Sequence, residues 1–235
     1  MGSERSGDRV LVIMAKAPRP GSVKTRLASG ISSDAVADFY RCLLEDTLVM
    51  VRSLNDVEVA IMCPESDVDD LAQFAGREVS VVAQRGTGLA AGLTSVFADF
   101  TKNARHAIAF NSDSPHLPPA VLERAFSVLD SRDVVIGPTH DGGYYLVGAK
   151  ASHPTLFASD GMGTSTALER LTSRARDLQL SVAFAEPFYD VDVPDDLKRL
   201  AQDLREAPPR APRTAEWLKQ WELSAVRSHT NAGEL

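Results

Sequence analysis

Apolar runs of strand length recur along the chain at Val10 to Ala15, Val57 to Cys63, Val79 to Ala83, His106 to Asn111, Val134 to Gly137 and Tyr144 to Val147. Between them the period changes. Phe39, Leu43, Leu44, Leu48 and Val51 recur at helical spacing, as do Leu122, Ala125, Phe126 and Leu129 after Pro118 and Pro119, so each stretch predicts a helix with one buried face. Strands alternating with helices predict an α/β fold: a doubly wound, mostly parallel sheet with helices on both faces.

A single domain over 10–204 accounts for this alternation, preceded by a polar tail over 1–9. A Pro-rich segment and a helix follow over 205–227, where Trp217, Leu218 and Trp221 form one apolar stripe; 228–235 reads as a disordered tail. The two tryptophans are expected to pack on their own domain, with a homodimer seam as the other use of such a stripe.

Composition narrows the partners. With 235 residues, 44% of them hydrophobic, the chain can bury a large core, and its formal net charge of -7 argues against a nucleic-acid or anionic-membrane partner. No run reaches the length of a membrane span and no secretory signal is seen, so a cytoplasmic protein acting on a small molecule is expected. The 2 cysteines, Cys42 and Cys63, stand far from any Cys/His cluster and read as buried, reduced thiols.

The loops after the strands carry the candidate chemistry. The run ending at Asn111 stops at Ser112-Asp113-Ser114-Pro115, which places a carboxylate just beyond a strand tip, where α/β sheets bind ligands. There Asp113 could hold a divalent cation against nucleotide phosphates, although the same residues also make ordinary turns and helix caps. After the first strand, Lys16, Lys24 and Arg26 can neutralise phosphate oxygens, and Gly21 lets the backbone approach them. The likeness of Gly-Ser-Val-Lys-Thr to a Walker loop fails, because the earlier glycine of that motif is absent where Lys16 and Ala17 stand.

After the third strand, Gln84-Arg85-Gly86-Thr87-Gly88 enters a helix whose first N–H groups could meet a nucleotide, with Gln84 and Gly86 as candidate contacts. His140-Asp141-Gly142-Gly143-Tyr144 is either a plain hairpin turn or a substrate turn. In the second reading Asp141 holds sugar hydroxyls or acts as a base, His140 is a secondary catalytic candidate, and Gly142, Gly143 and Tyr144 border the substrate. Thr164 and Ser165, near the start of a later helix, could touch the acceptor, with helix capping by Thr164 the simpler account. Asp190 and Asp192 alternate on an extended segment before a helix starting at Pro194. Asp192 could cap that helix or complete a metal site with Asp113.

Lys16 to Leu27, Ser112 to Pro118, Asp141 to Gly148 and Tyr189 to Leu197, in that order, resemble the bacterial DUF2064 family, also called the radical-SAM/selenodomain-associated transferase 1 family. The likeness runs from about Val10 to Leu200, with Pro-Gly-Ser-Val-Lys-Thr-Arg-Leu and Asp-Gly-Gly-Tyr-Tyr-Leu-Val-Gly its most specific elements. It implies a GT-A-like nucleotide-diphospho-sugar transferase fold, with Asp113 at the metal-binding Asp position and Asp192 matching the acidic or amide residue before the Thr-Pro-Glu-Asp-Leu-like helix that here starts at Pro194. Where that family commonly has Asp-Leu-Gly-x-Arg, this chain has Gly88-Leu89-Ala90-Ala91-Gly92 and lacks both charges. Lys-Thr-Arg-Leu and Gly-Leu-Ala-Ala-Gly-Leu are also similar to 2-phospholactate guanylyltransferases. The leading expectation is a Mg²⁺- or Mn²⁺-dependent glycosyltransferase using a nucleotide sugar and a small-molecule acceptor. A nucleotidyltransferase joining a nucleoside triphosphate to a phosphorylated small acid is the alternative, and a silent nucleotide-binding module is a third.

Overall fold

A computed structural model describes residues 7–102, 105–157, 161–206 and 210–231. The chain forms two compact units: the first takes Met1–Ala17, Val51–Ser112 and Leu117–Asp190, the second Pro18–Met50, Asp113–His116 and Val191–Leu235. Its strands are β1 (Arg9–Met14), β2 (Glu58–Cys63), β3 (Ser80–Ala83), β4 (His106–Asn111), β5 (Val134–Pro138), β6 (Tyr144–Ala149) and β7 (Val182–Phe184). Its helices are α1 (Ser33–Arg52), α2 (Val68–Ala75), α3 (Gly88–Phe100), α4 (Pro119–Leu129), α5 (Ala167–Asp177), α6 (Pro194–Glu206) and α7 (Pro212–Asn231).

The first unit holds a 7-stranded sheet in the order β3-β2-β1-β4-β6-β5-β7. Every neighbouring pair is parallel except those of β6, which runs antiparallel to both β4 and β5. The reversal follows from connection length: the chain returns from β5 to β6 through residues 139–143, too short for the crossover that a parallel neighbour requires. One sheet face, built from Val10, Val12, Ala60, Met62, Ala107, Ala109, Val134 and Ile136, packs against Leu93, Val96 and Phe97 of α3 and Leu171 and Ala175 of α5. The other face meets α4. There Gly148 sits where an added Cβ would stand 2.7 Å from Val135, 2.9 Å from Ile108 and 3.2 Å from Leu129. Helices on both faces of a mostly parallel sheet are what the alternating pattern predicts.

Strand β7 escapes the hydrophobic pattern because it is only 3 residues long and lies at the sheet edge, with Phe184 exposed. Asp133 fastens it: its carboxylate accepts from the Ser181 N–H at 2.9 Å and from the Ser181 hydroxyl. Those hydrogen bonds hold the Asp133 carboxyl down at about 2.

In the second unit α7 rests on α1 through Trp217, whose ring lies 4.8 Å from that of Phe39 and stacks on Trp221. The buried Asp46 carboxylate of α1 accepts from the Thr214 N–H at 2.8 Å and the Arg213 N–H at 3.3 Å, satisfying donors in the first turn of α7. With no Gly or Pro before Gly233, α7 continues to Asn231, past the end read at residue 227. Residues 1–6 and 232–235 of the expected tails, and 207–209 of the Pro-rich segment, lie outside the described residues. Among the described residues no helix is long and apolar enough to cross a membrane. Both cysteines are free thiols pushed up to about 11, by burial first and neighbouring carboxylates second; Cys63 is buried as expected, but Cys42 is only half-buried, beside Glu45 and Arg213.

Candidate functional site

The basic loop is shaped by two local devices. Pro20 and Gly21 occupy the centre of a turn closed by the Ser22 N–H donating to the Arg19 carbonyl at 3.1 Å, and Gly21 takes the positive φ of 75° that such a turn demands of its third residue. Lys24 follows in the left-handed region at φ 45°, a conformation uncommon for a residue with a Cβ and worth about 1 kcal/mol or more of strain. The Leu27 N–H then donates to the Lys24 carbonyl at 2.9 Å, leading into a 3₁₀ turn over Leu27–Ser29.

This geometry delivers the Lys24 ammonium between two carboxylates, 2.7 Å from Asp113 Oδ2 and 2.8 Å from Asp192 Oδ1. Arg26 pairs with the other oxygen of Asp192. Lys24, Arg26, Asp113 and Asp192, separated by up to 168 residues in sequence, thus form one cluster within the second unit. The Lys24 side chain is 7% exposed, the two aspartates are partly buried, and Arg26 is 65% exposed. Burial pulls the Lys24 pKa down, yet the charges and hydrogen bonds of Asp113 and Asp192 outweigh it and hold the ammonium well above the usual lysine range.

Asp192 is not the helix cap that its position allowed. The capping group is Asp196, whose Oδ2 accepts from the N–H groups of Asp192 and Val193, both at 2.8 Å. An acidic residue three positions into a helix, reaching back over its start, is a capping-box half that the sequence carries openly. It leaves the Asp192 carboxylate to Lys24 and Arg26. Asp190 instead accepts from Asn111 Nδ2 at 2.6 Å, within the first unit. Neither Asp196 nor the Asn111–Asp190 pair is singled out by motif reasoning, although the first is readable from helix-start spacing.

Asp113 and Asp192 place two hard oxygen donors around one cationic centre. That donor set fits Mg²⁺ or Mn²⁺, which bind through one or two protein carboxylates and take their remaining ligands from phosphate and water. Among the described residues no three His, Cys, Asp or Glu side chains gather into a fuller cage.

The first unit carries the other candidates. Lys16 is exposed, and the Ala17 N–H beside it donates to the buried Asp67 carboxylate at 2.9 Å, fixing where the chain leaves β1. Gln84 donates from its amide to the carbonyls of Gly86 at 3.0 Å and Gly88 at 3.2 Å, so it shapes the glycine-rich turn from within. In the β5–β6 turn the Thr139 hydroxyl and, at 3.1 Å, the Gly143 N–H both donate to Asp141 Oδ1, which orients this carboxylate at an exposed hairpin tip. His140 beside it is exposed.

Residues 165–168 pack onto this turn: the Gly142 carbonyl accepts from the Leu168 N–H at 3.0 Å, and a Cβ on Gly142 would lie 2.0 Å from the Ser165 carbonyl oxygen. Gly143 and Tyr144 continue the same turn into β6, where the Tyr144 hydroxyl is buried and its pKa raised by burial. Thr164 is not a helix cap. α5 begins at Ala167, and the Thr164 hydroxyl donates to the Gly161 carbonyl at 2.8 Å.

His116, three residues after Asp113, is a buried group that motif reasoning passes over, since nothing local distinguishes it from a loop histidine. Burial pushes it down to about 4, with Asp203 opposing and Arg199 and Arg210 assisting. The unfolded chain takes up this proton near pH 6.5 and the folded chain only near 4, so stability falls as pH drops through that window. The contribution is at most about 3 kcal/mol. His116→Gln should remove most of it, read as a smaller loss of urea-unfolding free energy between pH 7 and pH 4.

The profile of a family described as "Uncharacterized protein conserved in bacteria (DUF2064)" matches residues 47–164, half of the chain. A 2-phospho-L-lactate guanylyltransferase of Methanocorpusculum labreanum is 28% identical over 185 residues, covering 77% of this chain and 79% of that protein. Among solved structures, a candidate nucleotide-diphospho-sugar transferase from Desulfovibrio desulfuricans G20 superposes with a TM-score of 0.85 and 26% identity, covering 92% of this chain and 96% of that one. The Rv0371c protein of Mycobacterium tuberculosis, solved as a complex with manganese, gives a TM-score of 0.50 at 20% identity, covering 82% of this chain and 97% of that one. The fold is therefore that of nucleotidyl and nucleotide-sugar transferases.

Proposed function

The chain belongs to the DUF2064 family, and from that premise we propose that it is a metal-dependent glycosyltransferase, a single transferase domain over 10–204 working in the cytoplasm on a nucleotide-diphosphate sugar and a small-molecule acceptor. The observation that carries this reading is the convergence of Asp113 and Asp192 on one cationic centre, with Arg26 joined to the same cluster. The likeness to the D. desulfuricans protein over 92% of the chain supports the donor class.

Lys16, Lys24 and Arg26 would bind the donor's phosphates, with Gly21 admitting them to the backbone and Gln84 and Gly86 bordering the nucleotide. Asp113 and Asp192 would hold a Mg²⁺ or Mn²⁺ ion, whose chemistry there is to stabilise charge on the departing diphosphate. Asp141, kept in one orientation by Thr139 and Gly143, would align the sugar or take the proton of the attacking acceptor hydroxyl, with His140 beside it. Gly142, Gly143 and Tyr144 would border the sugar, and Thr164 and Ser165 would meet the acceptor.

The M. labreanum relative favours a second reading, in which the same cations hold a nucleoside triphosphate and a phosphorylated small acid attacks its α-phosphate. One experiment divides them: thermal stabilisation by nucleotide sugars and by nucleoside triphosphates with Mn²⁺, followed by assay of released nucleoside diphosphate or pyrophosphate. Stabilisation by a nucleotide sugar with diphosphate release is expected. Pyrophosphate release establishes the second reading, and binding without turnover identifies a silent nucleotide-binding module.

A further inference from the structure

We propose that Lys24 is an internal competitor for the metal position, so that a divalent cation enters only when a polyphosphate takes over the Lys24 ammonium. This rests on the reading of Asp113 and Asp192 as metal-holding residues.

The geometry makes Lys24 the cation that the carboxylate pair already holds. Its Nζ lies 2.7 and 2.8 Å from the two carboxylates, a spacing that leaves no second cation between them while the ammonium stays. Lys24 and Arg26 offset the charges of Asp113 and Asp192, so the carboxylate pair does not by its own charge draw a divalent ion in. An ion arriving alone would have to expel an ammonium only 7% exposed and strand it without an anionic partner, which is costly for a buried charge. A polyphosphate arriving alone meets the mirror problem, because Lys24 and Arg26 are engaged and their withdrawal would leave two carboxylates facing each other.

Arriving together, the two ligands exchange partners without stranding any charge: the ion takes the carboxylates and the phosphates take Lys24 and Arg26. Each ligand then raises the other's affinity by the same factor, as linkage requires. The backbone suits such a device. Lys24 stands at φ 45°, separated from an exposed stretch over 20–22 by the buried Val23, so strain is stored at the residue that must move. Arg26, 65% exposed, can change partners at little desolvation cost and would assist the exchange without controlling it.

The test measures Mn²⁺ binding by electron paramagnetic resonance at buffered free Mn²⁺, with and without inorganic pyrophosphate, for the wild type, Lys24→Met, Lys24→Gln and Asp113→Asn, each checked for folding by its thermal transition. The wild type should bind Mn²⁺ weakly alone and at least about tenfold more tightly with pyrophosphate. Both neutral Lys24 variants should bind Mn²⁺ alone at least about tenfold more tightly than the wild type and lose most of the pyrophosphate effect. Mn²⁺ affinity that is unchanged or lower in these variants overturns the proposal, as does a wild type in which pyrophosphate changes nothing; the latter measurement stands even if both variants fail to fold. If Asp113→Asn abolishes Mn²⁺ binding while the Lys24 variants leave it unchanged, only the competition is wrong. If Asp113→Asn leaves Mn²⁺ binding intact, the metal-holding role itself is wrong.

Discussion

Asp113→Asn is expected to lower turnover by about 10²- to 10³-fold, the usual loss when one group stabilising developing charge is removed. It should also abolish the Mn²⁺-dependent part of thermal stabilisation by the nucleotide donor. The side chain keeps its shape but loses the charge that both a metal ion and the Lys24 ammonium, 2.7 Å away, require. Stability itself should change less than activity, because Lys24 retains Asp192 at 2.8 Å. The two quantities are read separately, by steady-state assay of diphosphate release and by the thermal transition without ligand. Unaltered turnover in a folded Asp113→Asn protein removes this carboxylate from the mechanism and leaves it as a structural partner of Lys24.

Gly142→Ala should be among the most destabilising single substitutions in the chain, costing about 3 kcal/mol or more in unfolding free energy. Two independent causes act at one atom. The backbone stands at φ 88°, a region L-residues rarely adopt, and the added Cβ would lie 2.0 Å from the carbonyl oxygen of Ser165, which is backbone and cannot turn aside. Relief would require the β5–β6 turn to part from residues 165–168, breaking the bond from the Leu168 N–H to the Gly142 carbonyl. Chemical denaturation compares the variant with Gly86→Ala, also at positive φ but whose Cβ meets only the Ala91 side chain, at 3.2 Å. A cost at Gly142 no larger than at Gly86 would show that the turn gives way easily.

Much of the architecture is legible in the sequence because each cause is local. The fully buried runs at Val10, Ile61 and Ile108 need only their own composition to declare a sheet covered on both faces. Pro194 and Asp196 announce the start of α6, and Asp141-Gly142 the hairpin that turns β6 against its neighbours. The elements that stayed hidden have weak local signals. β7 is held by pairing with β5 and by Asp133, and α7 ends without any residue that stops it at 227.

The site divides along the same line. Residue chemistry alone determined which loops hold the charges and offered Asp113 and Asp192 as carboxylates that could share a cation, beside the turn and cap roles open to the same residues. Only the tertiary structure decided who pairs with whom: that Lys24 lies between Asp113 and Asp192, that Asp190 belongs to Asn111, and that Asp196 rather than Asp192 caps α6. Residue types state which charges exist. The distances that turn them into pairs arise from chain segments as much as 168 residues apart, and Coulomb attraction and desolvation depend on those distances.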